Sequence, residues 1–454
     1  MKNFALAVVA ALPLIAPAAL PETLTLVDRA SKTCGENVRN FVLRGEAFAE
    51  ANAEATLAFH ADGRGAGYEI LFHNGPIDGS RKTGSLSHVR NLYRSLAADN
   101  AWFAFELAVR GKTIEVRIGG QTVVRYEEPA NPWRAPAHAA QRLGRGDFVF
   151  SSARGTMQFR KLALETLADD AAAAPGLVAP IDEQTDRAIR LQQRDFPVID
   201  YHVHLKGGLT RDLALAKSWA YGINYGVAPN IGEGGFGEMY RTDDTALAYL
   251  NALRPYSFLC AAQGEGRRWA LNFKPATFAA FDYIFTDAMT IVDRNRPLRI
   301  YRADEFLLND RTNEQWMDFL VDQIVAILDN EPADIYANAT YLPESMQPDY
   351  EAYWTDARVN RVLDVLAKNK IALEISARYR IPSARIIKMA KARGLKFTFG
   401  TNNGSADFGR LEYALDMIEA CGLTADDLWF PSMSTRASRK AVAWNSFATT
   451  DLSR

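Results

Sequence analysis

Two histidines set two positions apart, in Asp200-Tyr-His202-Val-His204-Leu-Lys206, are the residues of this chain whose type and spacing point most directly to chemistry. Residues i and i+2 of a strand face the same way, so both imidazoles can be aimed at one cation; two interior, hydrogen-bonded histidines are the plainer alternative. Two carboxylates are placed to complete a ligand shell. Glu265 stands in Gln263-Gly-Glu265-Gly, where the alternative is a solvated loop carboxylate. Glu374 lies in the apolar run Ala372-Leu-Glu374-Ile, where an ionised carboxylate is costly unless it is paired, with Arg378 or Lys206, or bound to metal. Asp287, in Phe285-Thr-Asp287-Ala, can act as a ligand, as the partner that orients an imidazole, or as a helix N-cap.

The chain holds only six histidines: His60, His73, His88 and His138 precede the pair, and none follows it. A histidine-rich site in the second half is thereby excluded. Cys34, Cys260 and Cys421 are odd in number and far apart, which excludes a disulfide framework and a zinc-type spacing and leaves buried free thiols. With 454 residues, 52 basic against 54 acidic side chains and 48% hydrophobic content, the chain is globular, of two or three domains, without the charge footprint of a nucleic-acid binder.

The elements that must position these residues change period along the chain. Residues 1–20 read as a secretory signal, with Lys2, an apolar run broken by Pro13 and Pro17, and the small residues Ala16 and Ala18. No later stretch is long and apolar enough to span a membrane, so a periplasmic or secreted protein is expected. From about Val42 to Leu164, within a domain placed at 21–165, short alternating strands with close turns predict an all-β sandwich of jelly-roll type, with Gly119-Gly120 supplying a tight hairpin. Residues 166–195 read as a linker with room for one helix.

From 196 to 454 short apolar strands alternate with amphipathic helices, as in Gln315–Leu328, where Trp316, Phe319, Leu320, Ile324 and Ile327 share a face. The strands expected are Val198–Leu205, Ile223–Ala228, Ser257–Gln263, Phe281–Thr286, Ile335–Ala339, Ile371–Ser376 and Phe397–Thr401. Seven βα units fit a (β/α) barrel, with an open doubly wound sheet as the alternative. In a barrel the chemistry sits at the C-terminal strand ends, which here carry His202, His204, Asn230, Gln263, Glu265, Asp287, Asn338, Thr340, Glu374, Ser376, Asn402 and Asn403. Gly232-Glu-Gly234-Gly-Phe-Gly237 matches a dinucleotide fingerprint as text, but no helix begins at its third glycine, and it reads as a loop over the mouth.

On these residues the second half, about Pro197 to Pro431, resembles the polymerase-and-histidinol-phosphatase superfamily of metal-dependent hydrolases, through its opening His-x-His, its mid-strand carboxylate and the closing Phe397-Thr-Phe-Gly-Thr-Asn-Asn403. The resemblance implies a distorted seven-stranded (β/α)7 barrel, up to three divalent metals and phosphate-ester hydrolysis. Asn338 stands where a strand-end histidine is usual, and Thr401-Asn-Asn403 replaces the usual serine-aspartate-x-histidine, so a trinuclear cluster is not expected.

The first half resembles the 3-keto-disaccharide hydrolase domain, through Gly67-Tyr-Glu-Ile-Leu-Phe-His-Asn-Gly75, Lys82-Thr-Gly-Ser-Leu86, Trp102–Gly111, Val116–Gln121 and Phe159-Arg-Lys-Leu162. Together these imply an exported, carbohydrate-directed hydrolase or lyase, acting for instance on 3-keto-glycosides. In that scheme one divalent metal (zinc, manganese or similar) is held by His202, His204 and Glu265. Glu374 or Asp287 serves as base, and Lys206, Arg378, Asn338, Asn402 and Asn403 bind a small carbohydrate. The alternatives are an inactive periplasmic sugar-binding protein and an enzyme whose chemistry lies in the jelly roll.

Overall fold

The computed structural model describes residues 20–233, 238–306, 308 and 310–439. The expected export signal and part of the Gly232–Gly237 loop lie outside the described residues. Among the described residues no helix is long and apolar enough to cross a membrane, and the three cysteines are free and buried.

The N-terminal domain is built of two antiparallel sheets. In spatial order the larger contains Thr23–Val27, Thr156–Thr166, Phe41–Ala49, Trp102–Arg110, Thr113–Ile118 and Gln121–Glu127; the smaller contains Ser31–Val38, Gly146–Arg154, Glu54–Ala61 and Tyr68–Phe72. Their inner faces share one aromatic core, in which Phe41 meets Phe148 edge-on at 4.9 Å and Phe150 meets Phe159 at 5.1 Å. Gly119 and Gly120 both take positive φ (58° and 82°), the conformation that a two-residue hairpin between Ile118 and Gln121 requires. Sequence patterning misses Thr23–Val27 and Ser31–Val38. The first buries only Leu26 and the second only Cys34 and Val38, so neither carries a strong alternating signal.

Residues 166–195, expected as a linker, are tied to both neighbours. Glu183 is buried between Arg134 (2.9 Å) and Arg90 (3.3 Å), and Arg134 also donates to the hydroxyls of Tyr68 and Tyr126. The helix Arg187–Gln192 ends in Gln192, which accepts the backbone N–H of Asn91, while Asn224 of the barrel donates to the Asn91 carbonyl at 2.7 Å.

The C-terminal domain is a closed ring of seven parallel strands: Ile199–Val203, Asn224–Val227, Leu259–Glu265, Tyr283–Thr286, Ile335–Tyr336, Ala372–Ser376 and Phe397–Gly400, the last pairing back to the first. Closure excludes the open doubly wound alternative. The helical layer outside is uneven, from four residues in Tyr350–Tyr353 to eighteen in Asn313–Asn330. The latter helix, opened by a reciprocal Thr312/Gln315 cap, buries Trp316, Phe319, Leu320, Ile324 and Ile327. The fifth strand is shorter than expected because Asn338 and Thr340 take positive φ (47° and 68°) and turn the chain out of the ring.

Two further pieces extend the mouth of the barrel. Asn230–Gly232 continues the second strand past Pro229 and pairs with Gln263–Glu265, and the hairpin Thr290–Asp293/Arg296–Arg299 follows the fourth strand.

The first and last strands share only one paired position, Asp200 opposite Phe399. The fully buried Asp200 carboxylate bridges the seam by accepting the N–H groups of His202 (3.1 Å) and Thr401 (3.0 Å) and the Thr401 hydroxyl (2.6 Å). Burial pushes this carboxyl up from its usual 3.8 to about 6. Asp200→Ala, which leaves three buried donors unpaired, should cost about 3 kcal/mol in denaturant unfolding, and Asp200→Asn less. Because the folded value lies above the unfolded one, Asp200 favours the fold most at low pH, and that benefit is lost as pH rises from about 4 to about 6. Unfolding curves across that window should therefore improve for Asp200→Asn relative to wild type.

Candidate functional site

At the C-terminal ends of the strands a cavity of about 500 Å³ opens, lined by His204, Lys206, Asn230, Gln263, Glu265, Asp287, Met289, Thr290, Tyr301, Arg378, Tyr379, Asn402 and Gly404. Its floor is a network of carboxylates and amides. The Gln263 side-chain amide donates to Glu265 Oε1 at 3.1 Å and to Asp287 Oδ2 at 3.3 Å, so one NH2 group joins the two carboxylates. Asp287 Oδ2 also accepts from Asn338 Nδ2 (3.2 Å), and Asn402 Nδ2 donates to Asn338 Oδ1 (3.2 Å). Asp287 Oδ1 takes the N–H of Met289, the local bond of a turn.

Burial raises both carboxyls above the ordinary carboxylate range. For Glu265 the charge of Asp287 adds to the effect of burial, whereas Asp287 is held lower by Arg267 and by its hydrogen bonds to Met289 and Asn338. The pair is thus set with Glu265 as the proton holder and Asp287, the more deeply buried but better hydrogen-bonded of the two, as the anion.

His204 presents its ring to this cavity. A carbonyl only accepts, so the 2.8 Å bond to Ala228 O puts the proton on Nδ1 and leaves a lone pair on Nε2, with the Gln263 side chain beside the ring. Burial, with the His202 and Lys206 charges, holds its pKa well below the usual value, which keeps the ring neutral at neutral pH. Asn403 does not face the cavity; it accepts the His204 N–H at 2.7 Å and donates to the His204 carbonyl at 2.9 Å, fixing the backbone of that strand end.

Several expected site residues lie elsewhere. Glu374 does not line the cavity. It is buried beneath it, accepting the His202 Nδ1 proton at 2.8 Å and the Asn338 N–H at 2.9 Å, so its partner is His202, where Arg378 or Lys206 was expected. Gly400 makes room for that pair, since a Cβ there would lie 2.5 Å from Glu374 Oε2 and 2.7 Å from His202 Cβ. His202 is fully buried, with its Nε2 3.3 Å from Gln263 Oε1. Asn338 is likewise below the surface and binds Asp287 in place of a ligand.

The expected metal set therefore divides. Both ring nitrogens of His202 are engaged, and the Gln263 amide stands between His202, Glu265 and Asp287 where a shared cation would have to sit. Among the described residues no group of three or more His, Cys, Asp or Glu side chains is disposed to hold a metal ion. The residues present do not fit the metal that the barrel resemblance implies.

Patterning missed Tyr301 and Tyr379 as cavity walls, and Arg267 beneath them. Arg267 is buried with none of its nitrogens hydrogen-bonded, facing Glu331 at 3.2 Å. Glu331 in turn binds Trp269 Nε1 and the Thr286 hydroxyl. No local signal marks these residues, because each reaches the site from an irregular segment or a helix end.

A somewhat larger cavity, about 580 Å³, lies between the domains against the helix Arg211–Tyr221. Its arginines are each paired with a glutamate, Arg90 with Glu183 and Arg117 and Arg125 with Glu115.

Residues 30–165 match the family model of a 3-keto-alpha-glucoside-1,2-lyase-like domain. No curated protein matches the sequence. Among solved structures, the zinc-containing histidinol phosphate phosphatase of Lactococcus lactis subsp. lactis Il1403 is similar at 15% identity over 50% of this chain and 94% of its own, with a TM-score of 0.40. A candidate glycosyl hydrolase from Parabacteroides distasonis ATCC 8503 is similar at 11% identity over 32% of this chain and 81% of its own, TM-score 0.30. The carbohydrate binding module CBM66 from Bacillus subtilis is similar at 12% identity over 32% and 83%, TM-score 0.20. At these scores the structural likenesses carry no weight for function.

Removing the Asp287 charge should let Glu265 ionise more easily. In Asp287→Asn the protonated-carboxyl infrared band of Glu265, assigned by its loss in Glu265→Gln, should disappear at lower pH than in wild type. Metal analysis of untagged protein should find less than about one equivalent of divalent ion; a full equivalent lost on His204→Ala would contradict this placement of the residues.

Proposed function

We propose that this chain is an exported, carbohydrate-directed enzyme that breaks a glycosidic or related C–O bond by acid–base chemistry at the mouth of the barrel. The match of residues 30–165 to a 3-keto-alpha-glucoside-1,2-lyase-like domain supports the sugar. One observation carries the chemistry: Glu265 and Asp287 share a single Gln263 amide on the floor of one cavity, in environments that hold their protons unequally.

In this reading Glu265 gives its proton to the departing oxygen. Asp287, or the Nε2 lone pair of His204, takes a proton from the other side of the bond. If that proton comes from water, the result is hydrolysis. If it comes from a carbon beside a keto group, its electron pair forms the C=C bond as the C–O bond breaks, and the result is elimination. Tyr301 and Tyr379 offer apolar faces to a sugar ring, and Asn402 offers amide hydrogen bonds to its hydroxyls. Burial of His202 and Glu374 makes them the support that fixes the first strand end, not groups that touch substrate.

A second reading puts the reaction in the sandwich, because the family match falls there. His73 faces a cavity of about 180 Å³ with Glu54, Ser80, Arg81, Tyr93 and Asp195.

Turnover of 3-keto-glucosides and their unoxidised parents by the full chain separates the readings. Glu265→Gln should lower kcat by about 100-fold or more with little change in melting temperature, and His73→Ala should leave kcat within about twofold. The reverse pattern moves the chemistry to the sandwich. No turnover of either sugar series by wild type would leave a binding protein.

A further inference from the structure

We infer that the barrel cavity selects sugars bearing a carboxylate, that is hexuronates, by pairing that carboxylate with Lys206 and Arg378 at its rim. The inference rests on the reading of this cavity as the sugar site and names the substrate class. Both side chains line the cavity; among the described residues neither makes an ion pair, and the anion that acts on Lys206 is Glu265 of the same cavity. Arg378 donates from Nη1 to the Asn402 carbonyl at 2.8 Å and lies over the Tyr379 ring at 5.2 Å; among the described residues its other nitrogens have no hydrogen bond. Lys206 Nζ has no hydrogen-bond partner among the described residues. Elsewhere the chain behaves differently, since the arginines of the interdomain cavity are each matched by a glutamate.

The two cations are near enough for the Arg378 charge to act on Lys206. Gly207, at φ 56°, lets the Lys206 turn lie against Ser405, where a Cβ would come within 2.6 Å of Ser405 Cα. Two like charges placed side by side over a cavity repel one another and are stabilised by a bound anion. The planar guanidinium fork suits a carboxylate, and the ammonium adds a second point of charge. A hexuronate bound there would share the cavity with Tyr301, Tyr379, Glu265 and Asp287.

Calorimetric titration of the full chain with D-glucuronate, D-galacturonate and D-mannuronate, each against its parent hexose, tests this without needing turnover. At least one uronate should bind about tenfold or more tightly than its hexose. That preference should vanish in Lys206→Met and in Arg378→Gln, both at the exposed rim, with melting temperatures unchanged. Equal binding of acid and hexose, a preference that survives both substitutions, or tighter binding of inorganic phosphate than of any uronate would overturn the inference while leaving the cavity as a sugar site. Failure of every sugar to bind would overturn both.

Discussion

Asp200 and Phe399 are the one paired position where the first and last barrel strands meet, so the ring closes through side-chain and strand-end bonds, the buried Asp200 carboxylate foremost among them. Its two oxygens collect two backbone N–H groups and a hydroxyl that a longer ladder would otherwise have satisfied. The residues on either side of that seam are the ones the site needs. His202 and His204 leave the first strand, Asn402 and Asn403 leave the last, and Asn402 N–H binds the His202 carbonyl at 2.9 Å. The closing bonds and the arrangement of the cavity's strand ends are thus one structure, and a barrel that gapped at this seam would lose both.

The same device recurs around the ring. Glu374 ties His202 to Asn338, Asp334 takes the Ile284 N–H and the Arg436 guanidinium, and Glu331 ties Trp269 to Thr286. Each buried carboxylate is costly to desolvate and is kept by two or more donors. Glu265 and Asp287 differ in that they share one donor, the Gln263 amide, and both line a cavity. That contrast separates carboxylates that hold the fold from carboxylates able to exchange a proton with a ligand.

The two domains are joined by polar bonds buried from solvent. Arg134, Arg90 and Glu183 fix the connecting segment to the sandwich, and Asn91 links Gln192 to Asn224. Breaking any one partner would leave a buried charge or amide unsatisfied, which favours a fixed mutual placement of sandwich and barrel. The sandwich therefore helps seat the second strand of the barrel through Asn224.

Periodicity made the seven barrel strands and the helix Asn313–Asn330 legible, because their burial repeats at short range along the chain. The two weakly alternating strands at the start of the sandwich escaped it for lack of buried residues. The same local logic marked the strand-end polar residues as a set, and marked Glu374 as a carboxylate in need of a partner. It did not identify that partner, which stands 172 residues away. Composition alone determined that no histidine-rich site exists after His204. Only the tertiary structure decided which polar residues face the cavity and which lie under it, and that Gln263 occupies the space between the carboxylates and His202. Those outcomes depend on side chains from different strands converging at a closed ring, a relation that spacing along one chain does not encode.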